Sequence, residues 1–213
     1  QQTQVSPKIG FAFQDAMRAF VRKDPDVILV GEIRDSETAL EAIRASQTGH
    51  LVLSTLHSND AIDAVQRLFD LEMHPNSISS ELTAVFAQRL ARRICKGCRR
   101  PAEPAPDIVA ELFPEGVPDD FRCFEGAGCS YCDGRGTYGR VAVIEHLDVG
   151  PELRKAISKH PPLDELREAA IRSGLHTMRT SALEFVREGV IPLEEIRRIL
   201  PVESMAPERP RSS

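Results

Sequence analysis

Apolar residues recur at two different periods along this chain, and each change of period marks an element. Phe13, Met17, Phe20 and Val21 fall at helical spacing and predict an amphipathic helix over 11–23. Asp24-Pro25 closes it, because proline disfavours helix at the residue before it. VILV (27–30) is a short β-branched run that predicts a strand buried on both faces. Ser36 as N-cap and Gly49 as stop frame a helix over 37–48. LVLST (51–55) is a second buried strand, Asn59 or Asp60 caps a helix to about Glu72, and a long helix is predicted over Ile78–Ile94. From Phe11 to about Arg100 helical and strand patterns therefore alternate through short connections, the pattern of an α/β layer.

The texture then changes. Residues 95–139 are rich in proline, glycine and acid, RVAVIEHL (140–147) predicts a strand, and three short helical patterns follow, the first two stopped by Gly174 and Gly189. The tail ESMAPERPRSS is polar and proline-containing, so disorder is expected there. No repeat of 20–50 residues is present, which excludes a solenoid.

Composition narrows the function classes. The 213 residues are 41% hydrophobic and 28% charged, within the range of soluble globular proteins. A formal charge of −5 argues against general affinity for nucleic acid or an anionic membrane. No apolar run reaches the 18 residues or so of a spanning helix. The chain opens on QQTQVSPKIG without methionine or leader, and the expectation is a piece of a longer protein.

Candidate chemistry begins at the strand ends. DPDVILVGEIRD places Gly31, Glu32, Arg34 and Asp35 directly after the first strand, and His57 follows the second. If the strands are parallel neighbours, their C-terminal ends share the rim where open α/β sheets bind ligands. A carboxylate there can orient an attacking water or hold hydrated Mg²⁺, and Gly31 lets backbone approach a phosphate. The plain alternative is a loop of solvated charges. His50 precedes its strand, roughly 20 Å from His57 along seven extended residues, so the two imidazoles belong to opposite ends of the sheet; His57, with Asn59 and Asp60, is the functional candidate.

Five cysteines are too few for a disulfide scaffold, and four of them are paired by spacing. Cys95 and Cys98, thirty intervening residues, then Cys129 and Cys132 give two C-x₂-C knuckles, a pattern suited to tetrahedral, structural Zn²⁺ in a reducing compartment. Four inert thiols or a disulfide pair are the alternatives. Cys123 is the spare, able to substitute for a ligand but lacking a C-x₂-C partner. Structural zinc is worth about 10–16 kcal/mol in small modules, comparable to the whole stability of a domain at about 5–15 kcal/mol.

The long segment RKDPDVILVGEIRDSETALEAIRASQTGHLVLSTLHSNDAIDAVQRL closely resembles the ATPases that power type II secretion and type IV pilus assembly. VILVGEIRD resembles their Walker B segment and TGHLVLSTLHSNDA their histidine box; the likeness continues through FAQRLARRICKGC and the helical C-terminus. The resemblance implies a partial RecA-like P-loop core over 1–94, an inserted zinc module over 95–139, a strand and helical subdomain over 140–200, and a disordered tail over 201–213. It implies Glu32 as catalytic glutamate and His57 as the group reaching the γ-phosphate, with Gly31, Arg34 and His50 near the nucleotide. It further implies Zn as structural metal, ATP with Mg²⁺ as ligands of the complete protein, and a hexamer. The location implied is cytoplasmic, against an inner-membrane platform protein. Secretion motors of this family carry the four-cysteine module and retraction motors typically lack it, which favours an export or assembly motor.

Three features restrain that reading. GRGTYG (134–139) satisfies G-x-G-x-x-G but precedes a strand, so it is turn chemistry and not a dinucleotide loop. RRICKGCRR holds five basic residues in nine, yet residues 92–140 hold eight basic and eight acidic ones, so no nucleic acid is expected. No G-x₄-G-K-[ST] segment occurs, so the main phosphate cradle is missing. The expectation is the C-terminal part of a motor, inactive alone, whose truncated sheet exposes apolar faces prone to self-association. The rivals are a non-catalytic zinc-containing adaptor and a zinc-ribbon nucleic-acid binder.

Overall fold

The computed structural model describes residues 2–5 and 12–207. Along the chain run α1 (Phe13–Val21), β1 (Val27–Val30), α2 (Ser36–Gln47), β2 (Leu51–Ser54), α3 (Ala61–Asp70) and α4 (Pro75–Glu81). Then follow β3 (Ala84–Ile94), β4 (Arg99–Ala102), α5 (Pro106–Leu112), β5 (Cys123–Gly126) and β6 (Thr137–Asp148). The chain ends with α6 (Pro151–Ile157), α7 (Leu163–Arg172), α8 (Met178–Arg187) and α9 (Ile196–Ile199). Two compact units result: residues 1–85 with 148–174, and residues 86–147 with 175–213. The helices expected to form one subdomain after residue 140 are thus divided between the units.

The first unit is built on β1 and β2, which pair in parallel from Val27 beside Leu51 to Val30 beside Ser54. Asp35, not Ser36, caps α2, its carboxylate accepting from the Thr38 N–H at 2.7 Å, and Asp60 caps α3 through Asp63 N–H at 2.7 Å. Ile28 and Val30 are buried against Met17 of α1 and Ala45 of α2. The opposite face differs from expectation. Val27 and Leu29 are 51% and 74% exposed, and Leu51 and Leu53 are 53% and 49% exposed. The strands are buried on one face only, because α1 and α2 pack on the same side and successive side chains point to opposite faces. The exposed apolar face expected of a small sheet is therefore present.

The long helix predicted over Ile78–Ile94 is not formed. α4 ends at Leu82, whose backbone is extended, and residues 84–94 become β3, paired with β6. The stretch AQRLARR has good helix formers, but its backbone groups are captured from outside: Arg92 N–H donates to Glu195 at 2.8 Å and Ile94 N–H to the Val190 carbonyl at 2.9 Å. Tertiary partners override a propensity worth only a few tenths of a kcal/mol per residue.

In the second unit β4 and β5 pair antiparallel, from Arg99 beside Gly126 to Ala102 beside Cys123. Its core gathers Leu112, Val143, Ala182, Val186, Ile191 and Ile196. The tail is ordered further than expected: Val202–Ser204 form a 3₁₀ turn and Met205 is 3% exposed. Residues 208–213 lie outside the described residues, as does Phe11 at the start of the predicted first helix.

Candidate functional site

Because β1 and β2 are parallel and in register, both end at one rim, and the chain beyond that rim is stapled. The Ile33 N–H donates to the Thr55 carbonyl at 2.9 Å, and the Thr55 hydroxyl donates to the Gly31 carbonyl at 2.9 Å. Glu32 lies between these staples and His57 two residues past Thr55. The result is direct contact: His57 Nε2 stands 2.6 Å from Glu32 Oε1. Arg34 Nε donates to Glu32 Oε2 at 2.6 Å.

The carboxylate is the sheltered member. Its side chain is 21% exposed, against 74% for Arg34 and 89% for His57. Glu32 Oε1 is buried and accepts no hydrogen bond of good geometry among the described residues, His57 Nε2 lying near it without the alignment of a donor. The Arg34 hydrogen bond is the strongest influence on Glu32 and holds its carboxyl below the ordinary range; desolvation opposes this, while the charges of Arg34 and His57 reinforce it. Glu32 is thus an ionised acceptor at neutral pH, its Oε2 held by Arg34 and its buried Oε1 covered by His57. A Cβ at Gly31 would meet nothing within 4 Å, so the ground beside the carboxylate is open.

The cysteines form a second centre. The turn Cys95–Cys98 is closed by Cys98 N–H on the Cys95 carbonyl, and Gly134 N–H likewise closes the other knuckle on the Cys129 carbonyl. The two halves are braced by Cys95 N–H on Gly136 and Ala127 N–H on Cys98. Gly136 adopts φ of +71° and lies so near Gly126 that a Cβ on either would overlap the other's backbone. The glycines of GRGTYG therefore serve this turn. All four Sγ atoms lie within 4.8 Å of one another, with Cys95–Cys129, Cys98–Cys132 and Cys129–Cys132 each at 3.8 Å. Sulfurs about 2.3 Å from a tetrahedral zinc stand about 3.8 Å apart, so the set fits a closed, structural Zn²⁺ site and not disulfides. Burial is the largest influence on Cys98 and pushes it up to about 12. At Cys132 burial is outweighed by N–H groups of Cys129 and Gly136 and by neighbouring thiols, which bring it down to about 6. One thiolate is easily made here, and further ones need a cation beside them.

A family model described as "Type II/IV secretion system protein" matches residues 1–198. The chain belongs to that family. It is 44% identical over 196 residues to the type IV pilus assembly ATPase PilB of Thermus thermophilus, covering 92% of this chain and 22% of PilB. It is 41% identical over 198 residues to the type II secretion system ATPase E of Vibrio cholerae, covering 93% of this chain and 39% of that relative. Among solved structures, the pilus retraction motor PilT with bound ADP matches with a TM-score of 0.61 at 29% identity, covering 89% of this chain and 44% of PilT. The ATPase DotB of Yersinia pseudotuberculosis matches with a TM-score of 0.64 at 19% identity, covering 93% of this chain and 42% of DotB, and supports the fold alone. The chain spans well under half the length of these relatives. The α/β ATPase fold expected from the sequence, with its clustered cysteines and C-terminal helices, is the fold found.

Within this member of the type II/IV secretion system family, the remaining candidate residues separate cleanly. His50 is not brought to Glu32 and His57. It sits before β2, its Nδ1 3.0 Å from both the Ala45 carbonyl and the Thr48 hydroxyl, anchoring the end of α2. Asp60 is committed to the α3 cap and to Arg167 at 2.7 Å, and Asn59 donates to Asp63 at 2.9 Å. Cys123 stays out of the cluster, 3% exposed in the core of the second unit, its thiol donating to the Ala102 carbonyl at 3.3 Å. Sequence pattern did not reveal Thr55, whose only signal is a polar β-branched residue closing an apolar strand. Nor did it reveal Glu195, 2% exposed, which takes Arg92 and Arg198 and gives no signal within a surface-like LEEIRR pattern.

Proposed function

We propose that this chain is the part of an ATP-driven secretion or pilus-assembly motor that carries the Walker B glutamate and the histidine box. The observation that carries the reading is the contact between Glu32 and His57 at the joint end of two parallel strands. When bound, Mg-ATP supplies the phosphoryl group and the ion its charge. Glu32, ionised, is suited to accept a hydrogen bond from the attacking water and align it once His57 turns away from its Oε1. Arg34 favours the ionised form of Glu32, and exposed His57 is free to turn from Glu32 toward a phosphate. His50 acts on the opposite end of β2 as an anchor.

The sequence has no G-x₄-G-K-[ST] cradle, so nucleotide binding falls to a wall that this chain does not supply, and the chain alone is inactive. In the complete protein the reading includes a hexameric ring in the cytoplasm, working against an inner-membrane platform protein, with Zn²⁺ held by Cys95, Cys98, Cys129 and Cys132. No described helix is long and apolar enough to cross a membrane.

A chimera with the preceding segment of the Vibrio cholerae relative fused before Gln1 tests the assignment. It is expected to hydrolyse ATP with Mg²⁺, and Glu32→Gln is expected to lower kcat by about 10²–10⁴-fold with little change in nucleotide affinity. Unchanged turnover in Glu32→Gln would remove Glu32 from the chemistry. The chain by itself is expected to give no heat with Mg²⁺ and a non-hydrolysable ATP analogue; saturable binding would mean that it holds its own phosphate site.

A further inference from the structure

The five cations of RRICKGCRR have different fates. Arg92 is spent on Glu195 at 2.7 Å and Arg100 on Glu125 at 2.6 Å, while Arg99 lies over the Phe124 ring, 4.2 Å from its centroid. Arg93 and Lys96 have no acidic partner among the described residues. They line a cleft of about 500 Å³ together with Ile94, Gly97, Tyr131 and Tyr138. The two tyrosine rings lie 4.6 Å apart and tilted by 49°, and they are 61% and 51% exposed.

This arrangement is built on hydrogen-bonded turns. Lys96 sits in the turn closed by Cys98 N–H on the Cys95 carbonyl, and Tyr131 sits in the 3₁₀ turn Ser130–Cys132 between two metal-ligating positions. Tyr138 lies near the start of β6. A surface that presents two aromatic rings and two unspent cations from fixed backbone loses little freedom when a ligand arrives. Tyr and Arg are also the residues that dominate protein–protein contacts.

The chemistry selects the ligand. An inorganic anion would meet one exposed and one half-buried cation at an open surface, where ion pairs contribute little alone, so the ligand must cover the rings as well. A nucleic-acid strand needs a basic stripe along its backbone, whereas residues 92–140 balance eight basic with eight acidic side chains. An anionic membrane is recognised by clusters of about four to eight cations, and only two are unspent here. A protein segment that alternates carboxylates with aromatic side chains satisfies both halves of the cleft.

We infer that the Arg93–Lys96–Tyr131–Tyr138 cleft docks an acidic, aromatic-bearing segment of a partner protein. Docking at this cleft does not depend on the motor reading. It is tested by fluorescence anisotropy of a labelled peptide alternating Glu with Phe and Tyr, titrated with the full zinc-loaded chain at low salt. Saturable binding is expected, weakened by added salt and absent for a matched peptide with Lys in place of Glu. The double variant Arg93→Gln/Lys96→Gln and the separate variant Tyr138→Ala are each expected to weaken it about tenfold, with zinc content and melting temperature unchanged. Tyr138 lies outside the cysteine knuckles, so its variant separates loss of docking from damage to the cluster. Absence of peptide binding, binding unaffected by both variants, or preference for a single-stranded oligonucleotide or an anionic vesicle would overturn the inference.

Discussion

His57 Nε2 lies 2.6 Å from Glu32 Oε1, although 25 positions separate the residues in the chain. The contact exists because Thr55 bonds back across the strand ends to Gly31 and Ile33, which ties the two loops together. A carboxylate and an imidazole brought together in this way form a poised pair, and Arg34 completes it from the outside.

Glu32 should titrate below the ordinary carboxylate range because the Arg34 hydrogen bond favours its ionised form. The folded value is depressed, so the contact is fully present above the unfolded value, about 4.3, and is lost as pH falls through the folded one. Arg34→Ala is expected to move the Glu32 titration, followed by carboxyl carbon NMR, upward toward that ordinary value. An unmoved titration would show that Arg34 does not set it.

Metal content gives a second check. Zinc is expected at one ion per chain, retained in Cys123→Ser and lost in Cys98→Ser. Removal by a strong chelator is expected to unfold the segment around β4 and β5 and leave the first unit's melting transition in place, since structural zinc contributes about as much free energy as a small domain possesses. Zinc retained by Cys98→Ser would contradict the four-thiolate assignment.

Glu195 should govern the acid stability of the second unit. Burial pushes its carboxyl up, but the Arg92 N–H, the Arg92 side chain and Arg198 together hold it below the ordinary range. Its contribution is therefore present above the unfolded value and disappears as pH falls through the lower, folded value. Glu195→Gln is expected to cost about 1.5 kcal/mol at pH 7, because the half-exposed Arg92 and Arg198 lose a charged acceptor but stay solvated, and to flatten the acid limb of stability in urea titrations. An acid limb as steep as that of the unaltered chain would assign the effect elsewhere.

The exposed face of β1 and β2 should make the isolated chain self-associate, since Leu29 is 74% exposed beside Leu51 and Leu53. Leu29→Lys with Leu53→Glu is expected to shift sedimentation toward the monomer without lowering the melting temperature, because neither side chain packs in the core. Sedimentation unchanged by the substitutions would place any association on another surface.

Features set by local chemistry are legible in the amino-acid order alone. The two C-x₂-C knuckles, the glycine stops and the acidic strand end each depend on a few neighbouring residues, so the cysteine cluster and the rim holding Glu32 and His57 can be read directly from the chain, whereas the α2 cap falls one residue earlier than the pattern predicts, on Asp35 and not Ser36. Residues 78–94 are not legible as a strand, because their helical preference is weak and the partners that overrule it, β6, Val190 and Glu195, lie far along the chain. Thr55 is hidden for the same reason, as its hydroxyl bond to Gly31 spans 24 positions. Residue type and spacing specify which groups are able to do chemistry. Tertiary contacts select which of those groups meet: they set His57 against Glu32, tie His50 to the far end of α2, bury Cys123 outside the metal cluster and leave Arg93 and Lys96 unspent. Side-chain type and spacing are local properties, whereas pairing across dozens of residues is fixed only when backbone hydrogen bonds and core packing close the loops between them.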